Sequence, residues 1–262
     1  MSESTENNSL TNTINLKTDN SKKDTAIITL SKETVMRLVK DVKELIKTPL
    51  TSHGIYYEHN ETDMLKGKAM IIGPKDTPYE YGYYLFEFAF PTNYPHAPPA
   101  VKFCTGDGIT RFNPNLYKNG KVCLSVLNTW NGEQWTGCQT ISSILLALCM
   151  VLNDAPLLNE PGVKKSHKDY DNYNRVIEYK NIEVAILGMI TSPATLEHFP
   201  SFLSIMKQNF IKNYDAIIDN INRKIVDYGD EKETVNTTLY QMSTTMDYKG
   251  LKEKIIELKP TF

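Results

Sequence analysis

The run from Tyr83 to Phe90 narrows the fold more than any other stretch of this chain. Tyr84, Phe86, Phe88 and Phe90 alternate with Tyr83, Leu85, Glu87 and Ala89. Successive side chains on a strand point to opposite faces, so this alternation predicts a strand with one heavily aromatic face. Such a face has to lie under helices. Two strands are predicted before it, at roughly 54–59 and 65–72, with Gly73-Pro74 and Pro78 as the following turn. Pro91, Pro95, Pro98 and Pro99 then break regular structure, and Ala100–Phe103 resumes as a fourth strand. Consecutive strands on short turns imply an α+β fold: a four-stranded antiparallel meander with helices packed on one face.

The helices show as apolar stripes. Ser31 is placed to cap a helix carrying Val35, Leu38, Val39, Val42, Leu45 and Ile46 on one side, ending at Lys47 and Pro49. Thr140 is placed to cap a second, with Ile141, Ile144, Leu145, Leu148, Cys149 and Leu152 at helical spacing, to pack on the aromatic face. Tyr170–Ile190 reads as a third, punctuated by Pro193. A long helix follows from about Ser201 to Tyr228, then a polar interval at 229–246 and a short helix with Leu251, Ile255 and Leu258. The organisation expected is a disordered tail at 1–24, a core at 25–192 and a helical C-terminal extension at 193–262.

Charge and composition exclude several classes of function. A net charge of −2, from 29 basic and 31 acidic residues well mixed, gives no electrostatic footprint for nucleic acid. No apolar run reaches ~18 residues and no signal-like segment follows Met1, so no membrane attachment and an intracellular, cytoplasmic or nuclear location are expected. Cys104, Cys123, Cys138 and Cys149 form no C-x-x-C pair and are expected as free thiols. The histidines lack metal-ligand spacing, so no metal site is expected, and the acyl-transfer chemistry read below calls for no cofactor.

Chemistry concentrates in the stretch Arg111–Ser125. Asn119-Gly120 is a tight-turn signal, and it delivers Lys121-Val122-Cys123-Leu124 as a short apolar segment. Asn113-Pro114-Asn115 lies upstream, with Asn115 eight residues before Cys123. A thiol and an amide donor are the two parts that acyl transfer requires. The thiolate takes an activated carboxyl as a thioester, and the amide meets the oxyanion formed when a second nucleophile attacks it. Taken alone, the same residues also describe a buried inert cysteine beside an ordinary turn.

The stretch closely resembles the active site of ubiquitin-conjugating enzymes, whose signature is His-Pro-Asn with a catalytic Cys eight residues after the Asn. Asn113 stands at the His position. Phe112-Asn113-Pro114-Asn115, Gly120–Ser125 and Asn159-Glu160-Pro161-Gly162 are most similar to the extended conjugating enzymes. These include the class charged by the alternative ubiquitin-activating enzyme, and the conjugating domain of BRUCE. The resemblance implies that Cys123 accepts ubiquitin or a ubiquitin-like modifier from an activating enzyme that spends ATP, then passes it to a substrate lysine. It implies that Asn115 steadies the oxyanion or the loop around the thiol. Asn159 takes the place of an Asp at the family's lysine gate, with Glu160 adjacent, and Ser125 is a second commonly acidic position. The segment Phe90–Pro99 resembles the family's ligase-docking loop, which makes Pro95 and His96 candidates for that surface. Gly137 and Cys138 join them, because Thr136-Gly137-Cys138 replaces the family's Ser-Pro-Ala. Arg37, Lys40 and Lys43 on the first helix are candidates for contacting the activating enzyme, against the plainer reading of a solvated charged face. Rival readings are a ubiquitin-binding variant without catalysis, a conjugating enzyme that needs no ligase, and a cysteine hydrolase. The last wants a His to activate the thiol, and none lies close to Cys123 in sequence.

Overall fold

The computed structural model describes residues 29–259. The tail expected at 1–24 lies outside the described residues. Helix α1, Lys32–Lys47, starts where the Ser31 hydroxyl accepts the Thr34 amide at 3.0 Å. Lys40 and Lys43 are exposed on it, but Arg37 is not part of a free basic face. Its guanidinium turns inward to Asp41 at 2.9 Å and to the carbonyls of Gly137 and Gln139. Buried Asp41 attracts the charge that the sequence alone left to solvent.

The sheet follows the expected meander. Strands β1 Ile55–His59, β2 Lys66–Ile72, β3 Tyr83–Ala89 and β4 Ala100–Phe103 pair in that order, antiparallel at every step. The register sets Ile55 against Ile71 and Ile71 against Tyr84, then Phe86 against Phe103. These side chains therefore share one buried face. Helix α2, Ile141–Met150, is fixed by a reciprocal capping box between Thr140 and Ser143 and buries Ile141, Ile144, Leu145 and Leu148. Helix α3, Tyr170–Lys180, runs on through a π-helical stretch, Asn181–Gly188, into α4, Met189–Thr191. At the start of that stretch Asn181 accepts the Tyr84 hydroxyl at 2.7 Å and donates to the Glu80 carbonyl at 2.8 Å. Gly82 leaves room for this bond, since a Cβ there would lie 2.0 Å from the Asn181 oxygen.

The opposite sheet face is not left bare. Tyr83, Leu85 and Met70 on that side are also buried. Helices α5, Pro193–His198, and α6, Pro200–Tyr228, cross over them. The Tyr83 hydroxyl donates to the Met206 carbonyl at 2.9 Å, and Lys68 sits 5.4 Å from the Phe199 ring centre. Phe202, Met206 and Phe210 join the same apolar core as the sheet. The rest of this face carries charge, with Lys102 3.5 Å from Glu87.

The interval 229–246, expected as a polar connection, folds as a hairpin. Strands β5 Glu233–Thr237 and β6 Met242–Met246 pair antiparallel, with Val235, Thr237, Met242, Thr244 and Met246 inward. The period-two alternation was present, but threonines hold two of its five inward positions and read as polar. Their branched side chains nonetheless favour a pleated, half-buried surface. Helix α7, Tyr248–Leu258, follows, capped by Asp247.

Candidate active site

The expected turn forms, with Gly120 but not Asn119 in the positive-φ region. Gly120 adopts φ 86° and its amide bonds the Tyr117 carbonyl at 2.9 Å. Beyond the turn the chain runs back beside its own upstream limb, through a bridge between Leu116 and Val122. This brings Asn115 and Cys123 together by two reciprocal bonds. The Cys123 amide donates to the Asn115 carbonyl at 2.9 Å, and the Asn115 side-chain amide donates to the Cys123 carbonyl at 2.7 Å. In this structure the Asn115 amide is thus committed to the loop that carries the thiol. Cys123 itself is 1% exposed. Thr129 braces its other side: the hydroxyl accepts the Leu124 amide at 3.0 Å and lies within bonding distance of the Val122 and Leu124 carbonyls.

Asn113, where the family carries an imidazole, is fully buried and joins several segments. Its amide nitrogen donates to the Tyr79 hydroxyl at 2.8 Å and to the Val151 carbonyl at 2.7 Å. Its oxygen accepts the Asn115 amide at 2.9 Å and the Asn159 side chain at 3.2 Å. Asn159 also donates to Val151 at 3.0 Å and accepts from Asn153 at 2.8 Å. Asn159 is therefore linked to the backbone of Cys123 through two further asparagines, Asn113 and Asn115. Ser125 lies in a single helical turn, Ser125–Leu127, on the other side of Cys123. Gly132 passes so close that a Cβ there would lie 3.1 Å from Ser125.

The two loops that resemble the family's ligase-docking surface also meet. The Trp135 indole donates to the Pro95 carbonyl at 2.7 Å, and Gly137 lies beside that same carbonyl. Pro95 is buried, whereas His96, Gly137 and Cys138 are exposed, and His96 pairs with Glu33 at 3.2 Å. The accessible part of this surface is thus the three residues around Pro95 rather than Pro95 itself. Among the other thiols, burial and neighbouring Glu87 push Cys104 up to about 12, and burial also raises Cys149. Both are held as poor nucleophiles near neutral pH.

Sequence reasoning missed Tyr79, Thr129 and the C-terminal hairpin as parts of this region. The hairpin tip reaches the site at Tyr240, whose hydroxyl donates to Glu160 and whose carbonyl accepts Lys118 at 3.0 Å. Arg111 lies between two rings, 3.2 Å from the centre of Tyr117 and 4.8 Å from that of Tyr240. Its backbone carbonyl accepts the Tyr173 hydroxyl at 2.8 Å. The only sequence signal for this was Arg111 itself, standing directly before Phe112-Asn113-Pro114. Among the described residues no cluster of His, Cys, Asp or Glu is arranged to hold a metal ion.

Comparison with known proteins agrees with this geometry. The family model described as "Ubiquitin-conjugating enzyme" matches residues 37–194. "Ubiquitin-conjugating enzyme E2 Z" of Homo sapiens is 39% identical over 184 residues, covering 69% of this chain and 51% of that protein. Its Danio rerio counterpart is 38% identical over 188 residues, covering 71% of this chain and 56% of that protein. "Dual E2 ubiquitin-conjugating enzyme/E3 ubiquitin-protein ligase BIRC6" of Homo sapiens is 31% identical over 225 residues, 79% of this chain and 4% of that protein. The alignments thus span little more than half of the E2 Z relatives. A match over most of the chain, together with the meander sheet and the Asn115–Cys123 pair, shows that the chain belongs to the ubiquitin-conjugating enzyme family.

Proposed function

We propose that the chain accepts ubiquitin or a ubiquitin-like modifier as a thioester on Cys123, from an activating enzyme, and transfers it to lysine on protein substrates. The observation that carries this reading is the reciprocal bonding of Asn115 and Cys123, which fixes the thiol's backbone from one side. Asn115 acts first through the loop. Its amide meets an oxyanion only by exchanging its bond to the Cys123 carbonyl. Burial of Cys123 at 1% exposure means that charging requires the loop to part. Asn159 and Ser125 border the lysine approach, with Asn159 holding the gate's shape through Asn113 and Val151. His96, Gly137 and Cys138 form the exposed part of a surface for a ubiquitin ligase, with Pro95 beneath it.

The test mixes the protein with activating enzymes, ATP and either ubiquitin or a ubiquitin-like modifier. A thiol-sensitive adduct is expected, and Cys123→Ala abolishes it while Cys138→Ala does not. Which modifier charges identifies the pathway. A folded protein that takes no adduct from any activating enzyme would leave a ubiquitin-binding module without catalysis.

A further inference from the structure

The hairpin tip belongs to a part of the chain that the family match does not cover, yet it is tied to both rims of the site. On one rim, the Tyr240 carbonyl holds Lys118, the Tyr240 ring covers Arg111, and the Arg111 amide lies 3.3 Å from the Met242 sulfur. Arg111 in turn donates to the carbonyls of Asn113 and Pro114, in the limb that positions Cys123. On the other rim, the Tyr240 hydroxyl donates to Oε2 of Glu160, next to Asn159. Below, the Leu239 amide donates to Asp169 at 2.7 Å and the Tyr173 ring meets Tyr240 at 5.9 Å. The tip holds this posture in left-handed backbone, with φ 63° at Tyr240 and 49° at Gln241. Bulky residues adopt such angles at a cost, which the surrounding contacts must offset. A loop with no task would not need a strained tyrosine bonded on two sides.

We propose that Tyr240 is a positioning residue for transfer: it fixes the Glu160 carboxylate at the gate and sets the spacing between the gate and the limb that positions the thiol. This rests on the transfer reaction proposed above. In that reaction the substrate's neutral ε-amine attacks the thioester carbon. The C–N bond forms, the C–S bond breaks with its electron pair returning to the Cys123 sulfur, and the amine's proton leaves to water. Most free lysine carries a proton near neutral pH, so a fixed carboxylate gathers the ammonium and holds it on line as it deprotonates. Tyr240 occupies Oε2, and the carboxylate has a second oxygen to offer the amine. Without the phenol the carboxylate keeps its charge and loses its direction.

The experiment uses the full chain charged with ubiquitin or with whichever modifier it accepts, then discharged onto free lysine over a range of concentrations. Tyr240→Phe, which keeps the ring over Arg111, is expected to lower the maximal discharge rate about tenfold. The half-saturating lysine concentration, the rate of charging and the thermal midpoint are expected to change little. Glu160→Gln is expected to give a similar loss, and the double variant no more than the worse single one, because the two side chains act as one unit. Discharge of Tyr240→Phe at the wild-type rate overturns the inference, as do losses that multiply in the double variant. A loss that falls equally on charging and on thermal stability also overturns it, since that is the mark of a merely structural contact. If wild-type protein takes no thioester from any activating enzyme, the transfer reading fails first and the inference with it. Normal charging with unaffected discharge in Tyr240→Phe sinks the inference alone.

Discussion

The two limbs that flank Cys123 are built on opposite principles. The upstream limb, Arg111–Leu116, is buried along its whole length, and its polar groups are matched to partners from four other segments. The downstream loop, Trp130–Gln134, is largely exposed, and Gln134 spends its amide on the loop's own carbonyls at Trp130 and Gly132. Its end is anchored, where the Trp135 amide donates to Asn128 at 2.8 Å and the indole reaches Pro95. Buried, fully satisfied polar networks fix a geometry, while exposed loops with self-contained bonds open at small cost. The backbone that carries the thiol is therefore placed from upstream, and the transfer proposed above would have it reached from downstream. That reaction needs such a division, because a fixed nucleophile and an open path for a protein partner make contrary demands on one loop.

The strongest test of this asymmetry removes the centre of the rigid limb. Asn113→Ala strips partners from the Tyr79 hydroxyl, the Val151 carbonyl, the Asn115 amide and the Asn159 side chain. A single unsatisfied buried group costs about 1–3 kcal/mol, and some of these groups keep a second partner, so a loss of about 3–4 kcal/mol is expected. Urea unfolding measures it through the midpoint. A loss below about 1 kcal/mol would mean that the limb is not held by this network, and the contrast with the downstream loop would collapse.

Much of this was legible beforehand, and the reasons differ by element. The aromatic alternation at Tyr83–Phe90 and the caps at Ser31 and Thr140 are local signals, and the strands and helices they announce are present. The site was carried by the resemblance of the Asn115–Cys123 spacing to the family's signature, since taken alone the same residues read more readily as an inert cysteine beside an ordinary turn. What sequence could not show was long-range. Nothing near Arg37 says that it will turn inward to carbonyls a hundred residues away. Nothing near Asn113 names Tyr79 or Asn159, and an exchange of imidazole for amide looks like a loss until four bonds are found on it. The hairpin escaped for a different reason: its alternation is written in threonine, and its tip meets the site from more than a hundred residues downstream.

A second prediction separates the hairpin's hold from the limb's own network. Asp169 receives the Leu239 amide at 2.7 Å. Burial opposes ionisation of this carboxyl, but the Leu239 and Thr238 amides, with His167 and Lys168 nearby, outweigh it and hold it below the usual carboxylate range. A depressed acid gives stability that is present above its unfolded pKa, about 3.9, and is lost as the pH falls through the lower folded value. The tip should therefore loosen only in acid well below pH 4, and hydrogen exchange at the Leu239 amide reads this out. At neutral pH, Asp169→Asn is expected to cost about 1–2 kcal/mol and to raise exchange at Leu239 while leaving the Cys123 amide protected. If both amides lose protection together, hairpin and limb open as one unit, and the rigid side of the site includes the hairpin.

The smallest expected effect is the most exacting for the open side. Gln134 is exposed, and its bonds to Trp130 and Gly132 at 2.9 and 3.2 Å lie where water competes for every one of them. Gln134→Ala should therefore change stability by less than about 0.5 kcal/mol, the ordinary range for surface positions. Charging should not slow. If passage to Cys123 is limited by this loop, releasing its internal bonds should make the thiol easier to reach, so alkylation of Cys123 by iodoacetamide in native protein should rise a few-fold over wild type. The rate is followed by mass spectrometry of the Cys123 peptide, with half-buried Cys104 and Cys149 as internal references. A rise at Cys123 alone locates the opening in the downstream loop. An equal rise at all three thiols means that the whole core has loosened, and an unchanged rate moves the opening elsewhere, to the very limb whose burial argues against it.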